Sequence, residues 1–168
     1  LDDEILSKLP KLKVISKYGV GIDTIDLEAL HKFNIKLGWT SGVNKRSVSE
    51  LVISSSIALL HKTALGNSEI KKGKWYQIIG RQLTNATFGI IGCGNIGKDL
   101  VKLLLPFGCS IISHDINHSK EFNIKYDIKA VSLNELLESS DVISLHLPLN
   151  SSTQNILSKK ELNLIKKD

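Results

Sequence analysis

A glycine-rich turn in the middle of the chain constrains its fold more than any other feature. The turn reads Gly92-Cys93-Gly94-Asn95-Ile96-Gly97 and directly follows the apolar run Thr87–Ile91. Residues 95–105 have the periodicity of a helix, which Pro106 and Gly108 end. A buried strand, a G-x-G-x-x-G turn and a helix in this order are typical of one βα unit in a parallel sheet.

Each glycine of this turn has a physical task. Gly92 permits the tight bend, Gly94 lets the backbone approach a pyrophosphate, and Gly97 lets the helix pack closely on the strand. The helix N-terminus offers N–H groups and a positive dipole end to the phosphates. Asp115 ends the next apolar strand, 18 residues after Gly97. A carboxylate at that place accepts hydrogen bonds from ribose hydroxyls, so the pattern predicts a dinucleotide site.

The identity of the dinucleotide depends on the surroundings of Asp115. A carboxylate repels the 2′-phosphate of NADP, so NAD is the favoured cofactor. NADP stays open as the alternative, because His114, His118 and Lys120 are close to Asp115 in the sequence and can tolerate a phosphate. A glycine turn with a purely structural role is the other alternative.

Apolar runs and helical patterns alternate along the whole chain. The predicted strands are Val14–Ser16, Ile35–Trp39, Thr87–Ile91, Ser110–His114 and Asp141–Leu145. The predicted helices are Leu27–Phe33 capped by Asp26, Ser47–Leu65 with a capping-box spacing at Ser47/Glu50, Asn95–Leu105, one that begins at the capping box Ser132/Glu135, and one that begins at Ser158–Glu161. Residues 66–87 are polar and predicted to be irregular. This alternation predicts an α/β fold, a Rossmann-type parallel sheet with helices on both faces.

Composition and charge exclude several other classes. The net charge is +5, but 20 of the 22 basic residues are scattered lysines and only nine residues are aromatic, which disfavours nucleic-acid binding. No apolar run reaches the roughly 18 residues of a membrane helix, so no membrane partner is expected. Cys93 and Cys109 make neither a disulfide framework nor a zinc-ligand spacing, and the N-terminus has no signal-peptide pattern. The expected location is the cytoplasm.

Six segments in order resemble the D-isomer-specific 2-hydroxyacid dehydrogenases, and within them the 3-phosphoglycerate dehydrogenase-like branch. They are LKVISKYGVGIDTIDLEAL at 12–30, NKRSVSE at 44–50, GKW at 73–75, TFGIIGCGNIGKDL at 87–100, FGCSIISHD at 107–115 and LNELLESSDVISLHLPLNSST at 133–153. The resemblance implies an NAD-dependent oxidoreductase that passes hydride between the nicotinamide and C2 of a 2-hydroxy or 2-keto acid. It also implies that residues 1–43 are a remnant of a flavodoxin-like substrate domain. Residues 44–168 are then an NAD-binding domain truncated at its C-terminus.

Site roles follow from the resemblance by position. Substrate contacts fall on Lys17, Gly19, Val20 and Gly21, through backbone N–H groups and the lysine charge, and Val20 also lies near the nicotinamide. Cofactor contacts fall on Val20, Gly92, Gly94, Asn95, Ile96, Gly97, Asp115, Leu147 and Pro148. His146 precedes Leu147 at a strand end, where the family has a structural residue. Two departures affect the substrate side: Trp39-Thr40-Ser41 stands where Asn-Thr-Pro is usual, and Thr24 stands where Asn is usual.

No catalytic residue is assigned within the chain. The family's arginine, glutamate and histidine follow the helix that ends at residue 168, and Arg46 and Arg81 lie in the wrong segments to replace them. The chain also lacks methionine and is interpreted as a central fragment. We therefore expect weak dinucleotide binding and no turnover from these residues alone. A non-catalytic, NAD(H)-sensing, protein-binding module of the corepressor type is the alternative function.

The predicted helix from Ser47 is apolar or small almost all round, which predicts burial on more than one side. In the family that this chain resembles, this region and the Gly73-Lys74-Trp75 segment pack between subunits. A homodimer is therefore expected. The alternative is an interdomain helix buried within one chain.

Overall fold

The computed structural model describes residues 1–117 and 119–167. The chain divides into two compact units, Leu1–Asn44 with Pro148–Gln154, and Lys45–Leu147 with Asn155–Asp168. The assignment of residues 1–43 to a substrate domain and of 44–168 to an NAD-binding domain stays a prediction.

The first unit is a small βα arrangement. Its elements are α1 (Asp3–Ser7), β1 (Val14–Ser16), α2 (Leu27–Lys32) and β2 (Lys36–Gly38). β1 and β2 are parallel, with Ser16 opposite Gly38. Asp26 caps α2 as predicted, because its carboxylate accepts the Ala29 N–H at 2.9 Å. The core of this unit consists of Leu6, Ile25, Ala29, Leu30 and Ile35.

The second unit contains the predicted parallel sheet with helices on both sides. Its strands are β3 (Thr87–Ile91), β4 (Ser110–His114), β5 (Lys129–Ala130) and β6 (Val142–Leu145). Their order is β5-β4-β3-β6, and every pairing is parallel. Its helices are α3 (Lys45–Leu60), α4 (Thr63–Lys71), α5 (Asn95–Leu104), α6 (Lys120–Lys125), α7 (Leu133–Ser139) and α8 (Lys159–Leu162), with a 3₁₀ turn at Leu105–Phe107. The Rossmann-type fold class is confirmed.

β3 lies at the centre of this sheet and is covered on both faces. Successive side chains of a strand point to opposite faces. Phe88 and Ile90 join one buried cluster with Leu100 of α5, while Ile91 joins a second cluster with Leu136 of α7. The continuous apolar run Thr87–Ile91 therefore reflects a strand buried on both sides, as parallel sheets require.

The helix predicted from Ser47 to Leu65 is wrong at both ends. α3 begins at Lys45, so Ser47 lies inside the first turn and is not its N-cap. α3 ends at Leu60, and Gly80 packs against that end, where a Cβ on Gly80 would be 2.7 Å from the His61 Cα. The Arg81 N–H donates a hydrogen bond to the Leu60 carbonyl at 2.9 Å.

The chain resumes as a second helix where irregular structure was expected. Lys62 adopts a left-handed conformation with φ 54°, and α4 follows at 58° to α3. The predicted irregular segment 66–87 thus contains the end of α4. Among the described residues no single helix is long and apolar enough to span a membrane, and only the bent α3–α4 pair has the length and composition.

The prediction that α3 is buried on more than one side is also wrong for this chain alone. Its buried residues are Ser49 and Ser56, whose small side chains suit close packing between helices. Leu51 and Leu59 are instead 66% and 77% exposed. α3 therefore presents an apolar face that the described residues leave open to solvent.

Candidate functional site

The glycine turn leaves β3 where the strand order of the sheet reverses. The connections from β3 run to β4 on one side and, after β5, to β6 on the other. Backbone hydrogen bonds join the three carboxyl ends, since the Gly92 N–H donates to the His114 carbonyl at 2.8 Å and the His146 N–H donates to the Ile91 carbonyl at 2.7 Å. In open α/β sheets, ligands bind in the crevice at such a switch point.

Two glycines of the turn are required by close contacts. Gly92 has φ +91°, and a Cβ there would lie 2.4 Å from the His146 carbonyl oxygen. A Cβ on Gly97 would lie 2.5 Å from the Gly92 carbonyl oxygen and 3.2 Å from Cγ2 of Ile90. α5 therefore presses directly on the end of β3, which is the arrangement expected for these two positions.

Gly94 differs from its two neighbours in the motif because it faces open space. A Cβ on Gly94 would have no atom within 4 Å. Gly94 is the N-cap of the ten-residue α5 and has no side chain to cap that N-terminus, and both Gly94 and Asn95 are exposed. The N-terminal N–H groups and the positive dipole end are thus accessible to an anion. This open cradle fits a dinucleotide pyrophosphate.

Asp115 holds the turn to the end of β4. Its Oδ2 accepts the Cys93 N–H at 2.7 Å, and its Oδ1 accepts the Asn117 N–H at 2.7 Å. Each carboxylate oxygen retains a further lone pair for a hydroxyl donor. The half-buried carboxylate is thus fixed in position before any ligand arrives. This bond to the turn has no local sequence signal, because it joins two residues from different strand ends.

Three side chains near Asp115 in the sequence could tolerate the 2′-phosphate of NADP, and the structure describes two of them. His114 is engaged with the Val131 carbonyl through Nδ1 at 3.0 Å. Lys120 is the first residue of α6 and is exposed. His118 lies outside the described residues.

The thiol inside the turn is a poor nucleophile. Burial raises the pKa of Cys93, and the Asp115 charge raises it further, while Lys98 acts in the opposite direction. The thiol is therefore protonated at neutral pH.

His146 and Leu147 close the other side of the turn. Burial lowers the pKa of His146, and its Nε2 is 2.8 Å from the Ser144 hydroxyl. A neutral, hydrogen-bonded imidazole fits the structural role expected for it. Leu147 lies over the turn, with its Cδ2 2.8 Å from where a Gly92 Cβ would be.

The other predicted cofactor residues lie in two places. Asn95 and Ile96 are the first two residues of α5, directly after Gly94, and the Ile96 carbonyl accepts the Ser49 hydroxyl at 3.4 Å. Pro148 belongs to the first unit. The second unit therefore gathers Gly92, Gly94, Asn95, Ile96, Gly97, Asp115 and Leu147 around the end of β3.

The predicted substrate residues follow β1 in the first unit. The Lys17 N–H donates to the Gly38 carbonyl at 2.9 Å, and its ammonium donates to the Tyr18 carbonyl at 3.1 Å. Gly19 turns the chain with φ +93°. The Trp39 indole N–H donates to the Val20 carbonyl at 3.0 Å, a contact that the sequence did not predict.

Comparison with known protein families gives a match to most of the chain. The family model for the D-isomer specific 2-hydroxyacid dehydrogenase NAD binding domain matches residues 53–168. The hydroxypyruvate reductase of Thermotoga maritima is 34% identical over 97% of this chain and 53% of its own length. The D-3-phosphoglycerate dehydrogenase of Methanocaldococcus jannaschii is 33% identical over 98% of this chain and 32% of its own length. These similar identities do not single out one branch.

Solved structures of dehydrogenases and reductases are also similar to this chain. The D-lactate dehydrogenase from Aquifex aeolicus, complexed with NAD and lactic acid, superposes with a TM-score of 0.91 at 32% identity, over 99% of this chain and 50% of that one. An acyclic imino acid reductase in complex with NADPH and D-Arg has a TM-score of 0.88 at 30% identity, over 99% and 54%. The chain spans about half the length of the first curated relatives that it matches.

Proposed function

Because this chain belongs to the D-isomer specific 2-hydroxyacid dehydrogenase family and contains its NAD-binding domain, we propose that its protein is an NAD-dependent oxidoreductase. The reaction is hydride transfer between the nicotinamide and C2 of a 2-hydroxy or 2-keto acid. The observation that carries this proposal is the open cradle at Gly94, next to a carboxylate fixed at the end of β4.

The residues of the second unit suit distinct parts of the cofactor. The α5 N-terminus after Gly94, with Asn95 and Ile96, would hold the pyrophosphate. Asp115 would accept the adenosine ribose hydroxyls through its remaining lone pairs, which favours NAD over NADP. Leu147 would border the adenosine. When bound, the nicotinamide supplies or accepts the hydride.

The loop after β1 would hold the acid. Lys17 supplies a positive charge, and the backbone N–H groups of Gly19, Val20 and Gly21 are hydrogen-bond donors for a carboxylate. Val20 and Pro148 belong to the first unit, and by the resemblance alone Val20 is proposed to contact the nicotinamide and Pro148 the adenosine. The acid itself is proposed to be of the phosphoglycerate type, supported by the segments that resemble that branch and by the archaeal phosphoglycerate dehydrogenase relative.

Steady-state reduction assays with NADH test the activity and the branch together. Glyoxylate, hydroxypyruvate and 3-phosphohydroxypyruvate are compared on the protein that carries this chain. The proposal predicts turnover, with the highest kcat/KM for the phosphorylated acid. Preference for glyoxylate would contradict the branch, and no reduction of any of the three would contradict the activity.

The 168 residues alone are proposed to be inactive, because the resemblance assigns none of them a catalytic role. NADH oxidation by this chain with any of the three acids would contradict that. If the protein that carries this chain binds NADH but reduces no acid, the NAD(H)-sensing alternative becomes the better interpretation.

A homodimer is proposed through the open face of α3 and α4. Leu51 and Leu59 of α3 and Ile70 of α4 are exposed, and Trp75 after α4 is 90% exposed. Monomeric proteins rarely leave a large contiguous apolar patch exposed. Sedimentation equilibrium should give twice the chain mass, and Leu59→Glu should shift it toward the monomer. A monomer at high concentration would contradict the dimer.

A cytoplasmic location remains part of the proposal. Cys93 and Cys109 are free thiols, which suits a reducing compartment.

A further inference from the structure

We propose that Trp39 is a positioning residue that aims the Gly21 N–H of the loop 17–21 at an anionic group of the substrate. This inference rests on the proposed function of that loop. Trp39 directly follows β2, and its indole N–H donates to the Val20 carbonyl at 3.0 Å.

The pairing of β1 with β2 explains why these residues meet. Ser16 is opposite Gly38, so the loop and Trp39 leave neighbouring strands at the same edge. The Lys17 N–H donates to the Gly38 carbonyl and extends the pairing by one step. Two hydrogen bonds therefore tie the loop to the end of β2, one from Lys17 to Gly38, the last residue of β2, and one from Trp39, the next residue, to Val20.

The hydrogen bond from Trp39 to the Val20 carbonyl fixes the direction of the Gly21 N–H. The Val20 carbonyl and the Gly21 N–H belong to one planar peptide unit, in which they point in opposite directions when the bond is trans. The structure has no cis peptide bond among its described residues. Because Trp39 holds the carbonyl on its own side, the Gly21 N–H points away from the indole. The bond also polarises the peptide unit and makes that N–H a better donor.

The loop needs such a constraint because its backbone is permissive. Gly19 has φ +93° and Gly21 follows two residues later, so the free loop has many accessible conformations. Trp39 itself is 38% exposed, and the core of this unit is made by other residues. Trp39 contacts the loop through its hydrogen bond to Val20 and does not belong to that core.

The position is also a departure from the family pattern. Asn is usual where Trp39 stands, and the indole nitrogen is further from its Cβ than an asparagine amide nitrogen is. Gln has an amide nitrogen separated from Cβ by the same number of bonds as the indole nitrogen, so it offers a rescue variant, whereas Phe keeps a ring and removes the donor.

The test follows the Gly21 amide by ¹⁵N–¹H NMR while oxalate, a small dicarboxylate probe, is added to the labelled chain. We expect a saturable shift of Gly21, about tenfold weaker oxalate affinity in Trp39→Phe, and substantial recovery in Trp39→Gln. Trp75→Phe is the matched control, because the chain has two tryptophans and this variant also identifies the Trp39 indole signal. Its oxalate affinity should equal that of the unsubstituted chain.

Equal oxalate affinity in Trp39→Phe and the unsubstituted chain overturns the inference, and so does a Trp39→Gln variant no better than Trp39→Phe. Absence of any oxalate-induced shift at Gly21 also overturns it. Unchanged signals away from residues 17–21 and from the substituted residue show that each variant folds. The proposed function fails separately, when the protein that carries this chain reduces no 2-keto acid although Gly21 still responds to oxalate.

Discussion

The Asp115 carboxylate accepts the backbone N–H of Cys93 at 2.7 Å. Asp115 directly follows β4 and Cys93 is the second residue of the turn after β3, so one bond joins the chain just beyond two strand ends at the switch point. The same carboxylate accepts the Asn117 N–H. Asp115 therefore shapes the turn, in addition to its proposed role as an acceptor for the ribose hydroxyls.

Replacement of Asp115 by Asn should weaken NADH binding about tenfold or more, because an amide group has lost one acceptor and the charge. The preference for NADH over NADPH should narrow, since the charge that repels a 2′-phosphate is gone. Nicotinamide fluorescence titrations with both cofactors measure this. Glu138→Gln, an equal charge change on the exposed side of α7, is the control. Unchanged NADH affinity in Asp115→Asn would refute the ribose role.

Gly97→Ala should destabilise the chain by about 2 kcal/mol or more, because the new Cβ would lie 2.5 Å from the Gly92 carbonyl oxygen. Gly94→Ala should cost less than about 1 kcal/mol, since its Cβ enters open space and only the N-cap preference changes. Urea unfolding followed by circular dichroism compares the two variants. Similar unfolding free energies for both would contradict the close contact of α5 with β3.

Arg46 of α3 pairs with the buried Asp99 of α5 at 3.0 Å. The Asp99 Oδ2 is buried without a hydrogen-bond partner among the described residues. Arg46→Met should therefore destabilise the chain by about 1–2 kcal/mol, below the usual cost of breaking a buried pair because Arg46 is 54% exposed on its side chain.

The double variant Arg46→Met/Asp99→Leu should recover most of the stability lost in Arg46→Met, because no uncompensated charge remains. Lys8→Met, which breaks the exposed pair with Glu4, is the control and should change the unfolding free energy by less than about 0.5 kcal/mol. A double variant no more stable than Arg46→Met would show that the buried charge is not the cause.

The acid stability of the second unit should depend on Asp141. The Thr87 N–H at 2.8 Å, with Lys166 and Arg81, holds the pKa of Asp141 below its ordinary value. A lowered folded-state pKa means that the stabilisation is present above the unfolded pKa and is lost as the pH falls through the folded one. Below about pH 4, the unsubstituted chain should therefore lose stability more steeply than Asp141→Asn. Parallel slopes in urea unfolding between pH 6 and 3 would contradict this.

Local pattern was enough to predict the elements that are buried on both sides. Thr87–Ile91 and Ser110–His114 are strands with the predicted bounds, because their apolar runs end at turn residues. The last helix begins after Ser158 as predicted, and Ser158 forms a capping box with Glu161.

The remaining features depend on partners that are distant in sequence. β5 (Lys129–Ala130) has two exposed residues and carries no apolar run. The end of α3 packs against Gly80, some 20 residues later. In the site, the three glycines and Asp115 were recognisable from their spacing. The bonds from Asp115 to Cys93 and from Trp39 to Val20 were not, since only the folded strand order brings those residues together.

A dinucleotide is proposed to lie on the glycine turn at the end of β3, and a substitution at Gly94 tests this proposal directly. NADH fluorescence is titrated with the unsubstituted chain and with Gly94→Ala, whose unfolding is measured in parallel. We predict saturable NADH binding that Gly94→Ala weakens at least tenfold while the unfolding free energies differ by less than about 1 kcal/mol. Equal NADH affinity in the two proteins, or no saturable binding to the unsubstituted chain, would contradict the account.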